Sequence, residues 1–84
     1  LDIVPNPPYL LFVDNQDQPG SIGAVGTIAG HHNINISFME VGRLQLRGRA
    51  MMVIGVDDPV PPDVMAEIQS LSHIYNARLA NLVS

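Results

Sequence analysis

Four short segments of the chain are rich in apolar residues and are bounded by Gly, Pro or polar residues, which is the pattern of β-strands. Residues 9–13 form a continuous apolar run and therefore predict a strand buried on both faces. Residues 34–41 alternate apolar and polar positions in their first half, and further apolar segments follow at 50–56 and 74–82. The chain is therefore expected to form four strands.

Two other segments carry their apolar residues at the spacing of an α-helix. They are residues 21–31 and a segment that opens at 62 and continues to about 71. Pro19 precedes the first helix, where a missing N–H is tolerated, and Asp17 is placed to cap the helix start. We expect Asn33 to close the same helix.

Glycines are unusually frequent in the first of these helices. Gly23, Gly26 and Gly30 are each less favourable than Ala inside a helix by about 1 kcal/mol. Their spacing of three and four residues places them on one helix face, so we do not read them as a dinucleotide-binding motif. We expect this face to allow the close approach of the sheet or of the second helix.

The predicted order of elements is strand, helix, strand, strand, helix, strand. This order defines an α+β, ferredoxin-like βαββαβ fold, in which two helices cover one face of a four-stranded antiparallel sheet. Residues 1–8 are expected to be an extended lead-in, because three prolines oppose both helix and strand, and residues 9–84 form the domain. The second face of the sheet stays open unless a partner covers it.

Composition and charge narrow the classes of function. The chain has 84 residues, of which 46% are hydrophobic and 14% charged, as in a small folded domain with a thin stability margin. Its net charge is −4 and it has no Lys, so it lacks the basic footprint of a nucleic-acid-binding domain. No apolar run is long enough to span a bilayer, and residues 1–6 do not resemble a signal peptide.

No set of residues predicts catalysis. The absence of Cys excludes a thiol nucleophile, a disulfide and a thiolate zinc site, and it fits a cytoplasmic protein. His31 and His32 are adjacent and therefore point in different directions, whereas a metal site needs three or four converging ligands. We expect exposed histidines at the helix end, no catalytic residue, no metal site and no cofactor bound by this domain.

The segment from Asn15 to Ser21 is the candidate for ligand binding. It is polar and lies between a buried strand and a helix, whose first amides can bind an anion such as a carboxylate. Asp17 can face an ammonium group in the same place, so the loop suits a zwitterionic amino acid. The alternative is structural: Asp17 caps the helix and Asn15 stabilises the turn.

The sequence resembles the ACT domain family along almost its whole length. The resemblance lies in Asp17-Gln18-Pro19-Gly20 after the first strand, the glycine-rich helix, the run Asn33-Ile34-Asn35-Ile36, and the last strand at 74–79. Within the family it is greatest to the regulatory domains of D-3-phosphoglycerate dehydrogenases, NAD-dependent enzymes of serine biosynthesis. The resemblance implies an allosteric domain rather than an enzyme, with L-serine or another small amino acid held between two domains that pair side by side.

The resemblance also implies the ligand-binding positions. They fall on Asn15, Asp17 and Asn35, and the adjoining residues of the loop and helix start belong to the same site: Pro19, Gly20, Ser21 and Ile22. Some members of the family have His or Tyr at the position of Asn15, and Asn at the position of Asp17.

Other functions remain as alternatives. A dimerisation module without a ligand, or an ACT domain of another protein of amino-acid metabolism, would have the same fold. An acylphosphatase-like enzyme would need an Arg in the loop after the first strand, but the first Arg of the chain is Arg43. An RNA-binding domain would need basic partners for aromatic residues on its central strands, and these partners are missing.

Overall fold

The computed structural model describes residues 7–44 and 48–82. It contains six elements in the predicted order: β1 (Tyr9–Gln16), α1 (Ser21–His31), β2 (Ile36–Arg43), β3 (Arg49–Val56), α2 (Pro62–Gln69) and β4 (Ile74–Asn81). Strand β1 extends three residues beyond the predicted apolar run, because pairing on both sides carries its polar end into the sheet.

The four strands form one antiparallel sheet in the order β2-β3-β1-β4. The central strand β1 pairs with β3 and β4, so that Val13 lies opposite Met52 on one side and Ala77 on the other. Strand β2 pairs with β3 and forms one edge of the sheet. This topology confirms the ferredoxin-like fold.

The hydrophobic core lies between one face of the sheet and the two helices. Alternate residues of β1 and β3 supply the sheet side, and Met52 and Val13 are completely buried there. Helix α1 contributes Val25 and Ile28, whereas α2 contributes Val64 and Ile68. Both helices pack on the same face, and the other face of the sheet carries no helix within the described residues.

The two ends of α1 differ from each other in how well they match the sequence prediction. The prediction that Asp17 caps the helix is wrong: the N-cap is Gly20 and no side chain caps the helix. Gly20 has φ 91°, a left-handed conformation that Gly adopts without steric cost. At the other end Asn33 has φ 58° and donates from its N–H to the Gly30 carbonyl at 3.1 Å, which confirms that Asn33 closes the helix.

The expectation of close packing at the glycines of α1 is also wrong for this chain. A Cβ placed at Gly23, Gly26 or Gly30 would meet no atom within 4 Å outside the helix itself. These positions face away from the sheet and from α2, so helical spacing alone did not show which side of the helix is buried.

Met52 and its neighbour Met51 provide a matched test of the core. Met52 is completely buried, whereas Met51 is half-buried on the open face of the sheet. We expect Met52→Ala to lower the free energy of unfolding by about 2–5 kcal/mol, because it leaves a cavity in the core. Urea denaturation followed by circular dichroism measures both variants, and an equal loss for Met51→Ala would contradict this assignment of the core.

Candidate functional site

The loop between β1 and α1 is held in place by the sheet. The Gln16 N–H donates to the carbonyl of His73 at 2.8 Å, and the Asp17 N–H donates to the carbonyl of Gly48 at 2.7 Å. The last residues of β1 are thus bonded to the chain on both sides. As a result the first turn of α1 starts from a fixed position at this end of the sheet.

The first turn of α1 presents unpaired backbone amides. The Ser21 N–H makes a long contact of 3.4 Å with the Gln18 carbonyl, and the Ala24 N–H donates to the Gly20 carbonyl at 2.9 Å. The amides of Ile22 and Gly23 have no acceptor among the described residues. Unpaired amides and the positive end of the helix dipole favour an anionic group here.

Asp17 forms an ion pair instead of capping the helix. Its Oδ2 lies 3.0 Å from Nε of Arg43, the last residue of β2. The Asp17 side chain is only 21% exposed, while that of Arg43 is 64% exposed. A negative and a positive group therefore stand side by side next to the amides of α1. The sequence did not indicate Arg43 as part of the site.

Asn15 is buried below this loop, with 2% of its surface exposed. Its Nδ2 donates to the Gln16 carbonyl at 2.9 Å, so it does stabilise the end of the strand. Its Oδ1 is buried and has no hydrogen-bond donor among the described residues. A buried acceptor of this kind destabilises the folded state by about 1–3 kcal/mol until a donor reaches it.

Ser21 joins the start of α1 to the start of β4. Its Oγ lies 3.3 Å from the Gln16 carbonyl and 3.1 Å from Nδ1 of His73, and Ser21 is 1% exposed. The hydroxyl has one proton, and the carbonyl can only accept. Both contacts are hydrogen bonds if Ser21 donates to Gln16 and His73 donates from Nδ1. Sequence reasoning missed this half-buried histidine, because its partner lies 52 positions away.

Asn35 lies at the opposite end of the sheet. It precedes Ile36, which pairs with Val56, whereas Asn15 pairs with Ala50 at the other end of β3. Six residues of strand separate these two pairings, a distance of about 20 Å. The Asn35 Nδ2 donates to Oδ2 of Asp57 at 2.6 Å. One chain thus brings Asn15 and Asp17 together but keeps Asn35 apart.

The remaining predicted positions surround the loop. Pro19, Gly20 and Ile22 are exposed, and Ile22 keeps 48% of its surface accessible. His31 and His32 are exposed at the end of α1, as expected, and Nε2 of His32 lies 2.9 Å from a carboxylate oxygen of α2. Within residues 7–44 and 48–82, no three His, Asp or Glu side chains are placed to share a metal ion.

This order of strands and helices is that of an ACT domain. The sequence profile of the ACT domain family matches residues 9–73, and the chain belongs to this family. Neither helix of the described part is long and apolar enough to cross a membrane.

Relatives of the chain are D-3-phosphoglycerate dehydrogenases. The enzyme of Synechocystis is 40% identical over 79 residues, which are 94% of this chain and 14% of the relative. The enzyme of Archaeoglobus fulgidus is 39% identical over 84 residues, which are 98% of this chain and 16% of the relative. The chain is therefore homologous to a short part of these enzymes. A probable L-serine dehydratase beta chain of Bacillus subtilis is 33% identical over 69 residues, 82% of this chain and 31% of the relative.

Solved structures share the fold at low sequence identity. The C-terminal domain of MgtC from Mycobacterium tuberculosis has a TM-score of 0.68 and 10% identity, covering 96% of this chain and 93% of that one. The ACT domain of a GTP pyrophosphokinase from Chlorobium tepidum has a TM-score of 0.58 and 10% identity, covering 86% and 95%.

Ser21 provides a test of the link between α1 and β4. We expect Ser21→Ala to lower the free energy of unfolding by about 1–3 kcal/mol, because the half-buried His73 loses its buried hydrogen-bond partner. Ser70→Ala is the control: its exposed hydroxyl donates to the Glu67 carbonyl at 2.6 Å, and water can replace it there. Urea denaturation of both variants should show the larger loss for Ser21→Ala, and no difference between them would argue against the link.

Proposed function

We propose that this chain is an amino-acid-binding regulatory domain, and that L-serine is its ligand. The observation that carries the proposal is the pairing of opposite charges at one loop. Unpaired amides of α1 suit the carboxylate of an amino acid, and the Asp17 carboxylate next to them suits the ammonium group. The L-serine dehydratase among the relatives supports serine, since that enzyme carries a similar segment.

The parent protein in this proposal is an NAD-dependent D-3-phosphoglycerate dehydrogenase of the cytoplasm. The support is the similarity of the chain to a short part of these enzymes. The domain itself binds no NAD and carries no catalytic residue in this proposal. Binding of serine would report the level of the end product to the rest of the enzyme.

The proposed site is shared between two copies of the domain. Strand β2 is an edge strand, and its Val41 is 40% exposed. Antiparallel pairing of two β2 strands about a two-fold axis extends the sheet and places the start of one strand beside the end of the other. Asn35 of the partner subunit then lies close to Arg43 and Asp17. This arrangement explains why one chain alone leaves Asn35 about 20 Å from the loop.

A dimerisation module without a ligand is the second candidate. It is favoured by the fact that Asp17 already pairs with Arg43, and Asn35 with Asp57, in the chain alone. Calorimetric titration of the domain with L-serine, glycine, L-alanine and L-aspartate separates the two functions. Saturable heat with serine supports the sensor, whereas no heat with any amino acid supports the module.

Asp17 is expected to contribute more to ligand binding than Asn15. Asp17→Ala should weaken serine binding by about 1.5–3 kcal/mol, because a charge-assisted hydrogen bond to the ammonium is lost, against about 1 kcal/mol for Asn15→Ala. Calorimetry measures both affinities, and circular dichroism checks that the variants fold. An equal or larger loss for Asn15→Ala would show that the ammonium contact is assigned to the wrong residue.

The shared site is tested by mixing two damaged chains. An Asp17→Ala homodimer and an Asn35→Ala homodimer each contain two damaged sites, whereas their heterodimer contains one intact site and one with both changes. Serine binding should therefore return in the mixture, at no more than about half a site per chain, and it should stabilise the dimer by linkage.

Subunit exchange must be shown independently, for example by energy transfer between labelled chains. If the chains exchange and the mixture still binds no better than either variant, the ligand does not bridge the two subunits.

A further inference from the structure

The sheet face opposite the helices is apolar in its middle and charged at its two edges. Across this face the register aligns Glu40 of β2, Val53 of β3, Phe12 of β1 and Arg78 of β4 in one row. Val53 and Phe12 are half-buried, although no helix of the described part lies on this side of the sheet. The row therefore has an acidic residue at one edge, an aliphatic and an aromatic residue in the middle, and a basic residue at the other edge.

The two charged residues of this row cannot neutralise each other within one chain. Three strand spacings, about 14 Å, separate their backbone positions. The Arg78 guanidinium carbon lies 4.6 Å from the centre of the Phe12 ring, so this cation is held over the face by its aromatic neighbour. Glu40 has no ion-pair partner among the described residues.

A two-fold axis parallel to the strands makes this row complementary to itself. Rotation about such an axis turns a second sheet over and exchanges its left and right edges. Glu40 then lies opposite Arg78 of the partner subunit, and the apolar positions in the middle of the two rows face each other. Because the contact is isologous, the ion pair forms twice.

The neighbouring row carries no charged residue. It contains Phe38, Gly55, Leu10 and Ala80 in the order of the strands. The Phe38 ring lies over Gly55, where a Cβ would be 2.5 Å from its Cε1. After the same rotation Leu10 lies opposite the partner's Gly55 and packs against the partner's Phe38 ring, which covers that glycine. The neighbouring row therefore adds apolar contact to the interface.

We propose that two copies of this chain pack face to face through the open side of the sheet. The sheets lie about 10 Å apart, as in a β-sandwich, with their strands within about 30° of each other. The apolar residues of the two rows form the centre of the contact. The Glu40–Arg78 pairs flank this centre and fix its register.

A second ion pair marks the rim of this contact. Asp14 accepts hydrogen bonds from the Arg49 guanidinium, which raises the pKa of Arg49 through the hydrogen bond and the adjacent charge. The Arg49 guanidinium also lies 5.1 Å from the centre of the Tyr75 ring. The charges of Asp14 and Arg49 are thus paired within one chain and need no partner subunit. We therefore assign these residues to the solvated end of the face.

The face contact is separate from the edge pairing of β2. Edge pairing alone yields a dimer, whereas a chain that makes both contacts assembles further, to a tetramer or beyond. Arg78 lies on the strand farthest from the β2 edge, so its substitution affects the face contact only. Loss of the face contact can therefore be detected while edge pairing remains, and loss of edge pairing can be detected while the face contact remains.

Charge reversal tests the face contact by sedimentation equilibrium. Glu40→Arg and Arg78→Glu each place like charges opposite one another twice, and each should weaken the face association about tenfold or more. The 1:1 mixture should regain it, because in the heterodimer every pair is again of opposite charge. Asp58→Arg, in the exposed loop after β3, is the control for net charge and should change nothing.

Engineered cysteines give a second readout, because the chain has none of its own. A Glu40→Cys chain mixed with an Arg78→Cys chain should be joined through the face contact by a short bis-maleimide cross-linker, because sheets about 10 Å apart are too far from each other for a direct disulfide. The Arg78→Cys chain alone should not link to itself. The Glu40→Cys chain alone can link only across the β2 edge, since residue 40 lies near the middle of that strand.

The proposal is wrong if Arg78→Glu leaves the association unchanged, or if the mixture of reversed charges shows no recovery. It is also wrong if deletion of residues 1–6 creates a face contact that the intact chain lacks, because that segment would then be the occupant of the face. The absence of cross-linking between positions 40 and 78 in exchanging chains would overturn it as well.

Discussion

The pairing of β1 on both sides is the constraint on which the rest of the structure depends. Its two ladders define the sheet, and the alternation along them sends Leu11 and Val13 into the core. At the end of β1 the amides of Gln16 and Asp17 donate to the carbonyls of His73, just before β4, and of Gly48, just before β3. The start of α1 is therefore fixed by backbone hydrogen bonds from both directions. The Ser21–His73 contact strengthens the same junction with side chains.

The order of the elements could be predicted because it depends on local patterns. Apolar periodicity distinguishes strands from helices, and Asn33 ends α1 through its own tolerance of positive φ. The role of Asp17 could not be predicted in this way. A local rule favoured a helix cap, but Arg43, far away in sequence, offers the carboxylate a charged partner. The buried side of α1 was likewise decided by tertiary packing, which left the glycine face uncovered.

Some polar groups of the candidate site have an ion-pair or hydrogen-bond partner in the chain, and others have none among the described residues. The Asp17–Arg43 pair is partly exposed, and such pairs contribute little net stability, so an incoming ammonium can replace the guanidinium without a large loss. The Asn15 Oδ1 and the first amides of α1 are different, because they have no partner among the described residues. A ligand that brings both a donor and an anion gains most at these atoms. The sequence indicated Asn15 and Asp17 as site residues. It did not indicate that Asp17 has an ion-pair partner, whereas Oδ1 of Asn15 has no donor among the described residues.

A domain of this size cannot cover its whole sheet with its own two helices, so two surfaces of the sheet are left for contact with another copy. The outer edge of β2 presents unpaired backbone groups, and the face opposite the helices presents Phe12 and Val53. Arg78 keeps this face compatible with water, because its guanidinium covers the Phe12 ring and remains solvated at its outer side. The same cation can pair with an acidic partner without leaving the ring. Since the proposed amino-acid site adjoins the edge and not the face, a ligand there would strengthen the proposed edge pairing by linkage and leave the energetics of the face unchanged. Association through the two surfaces is therefore expected to respond differently to ligand.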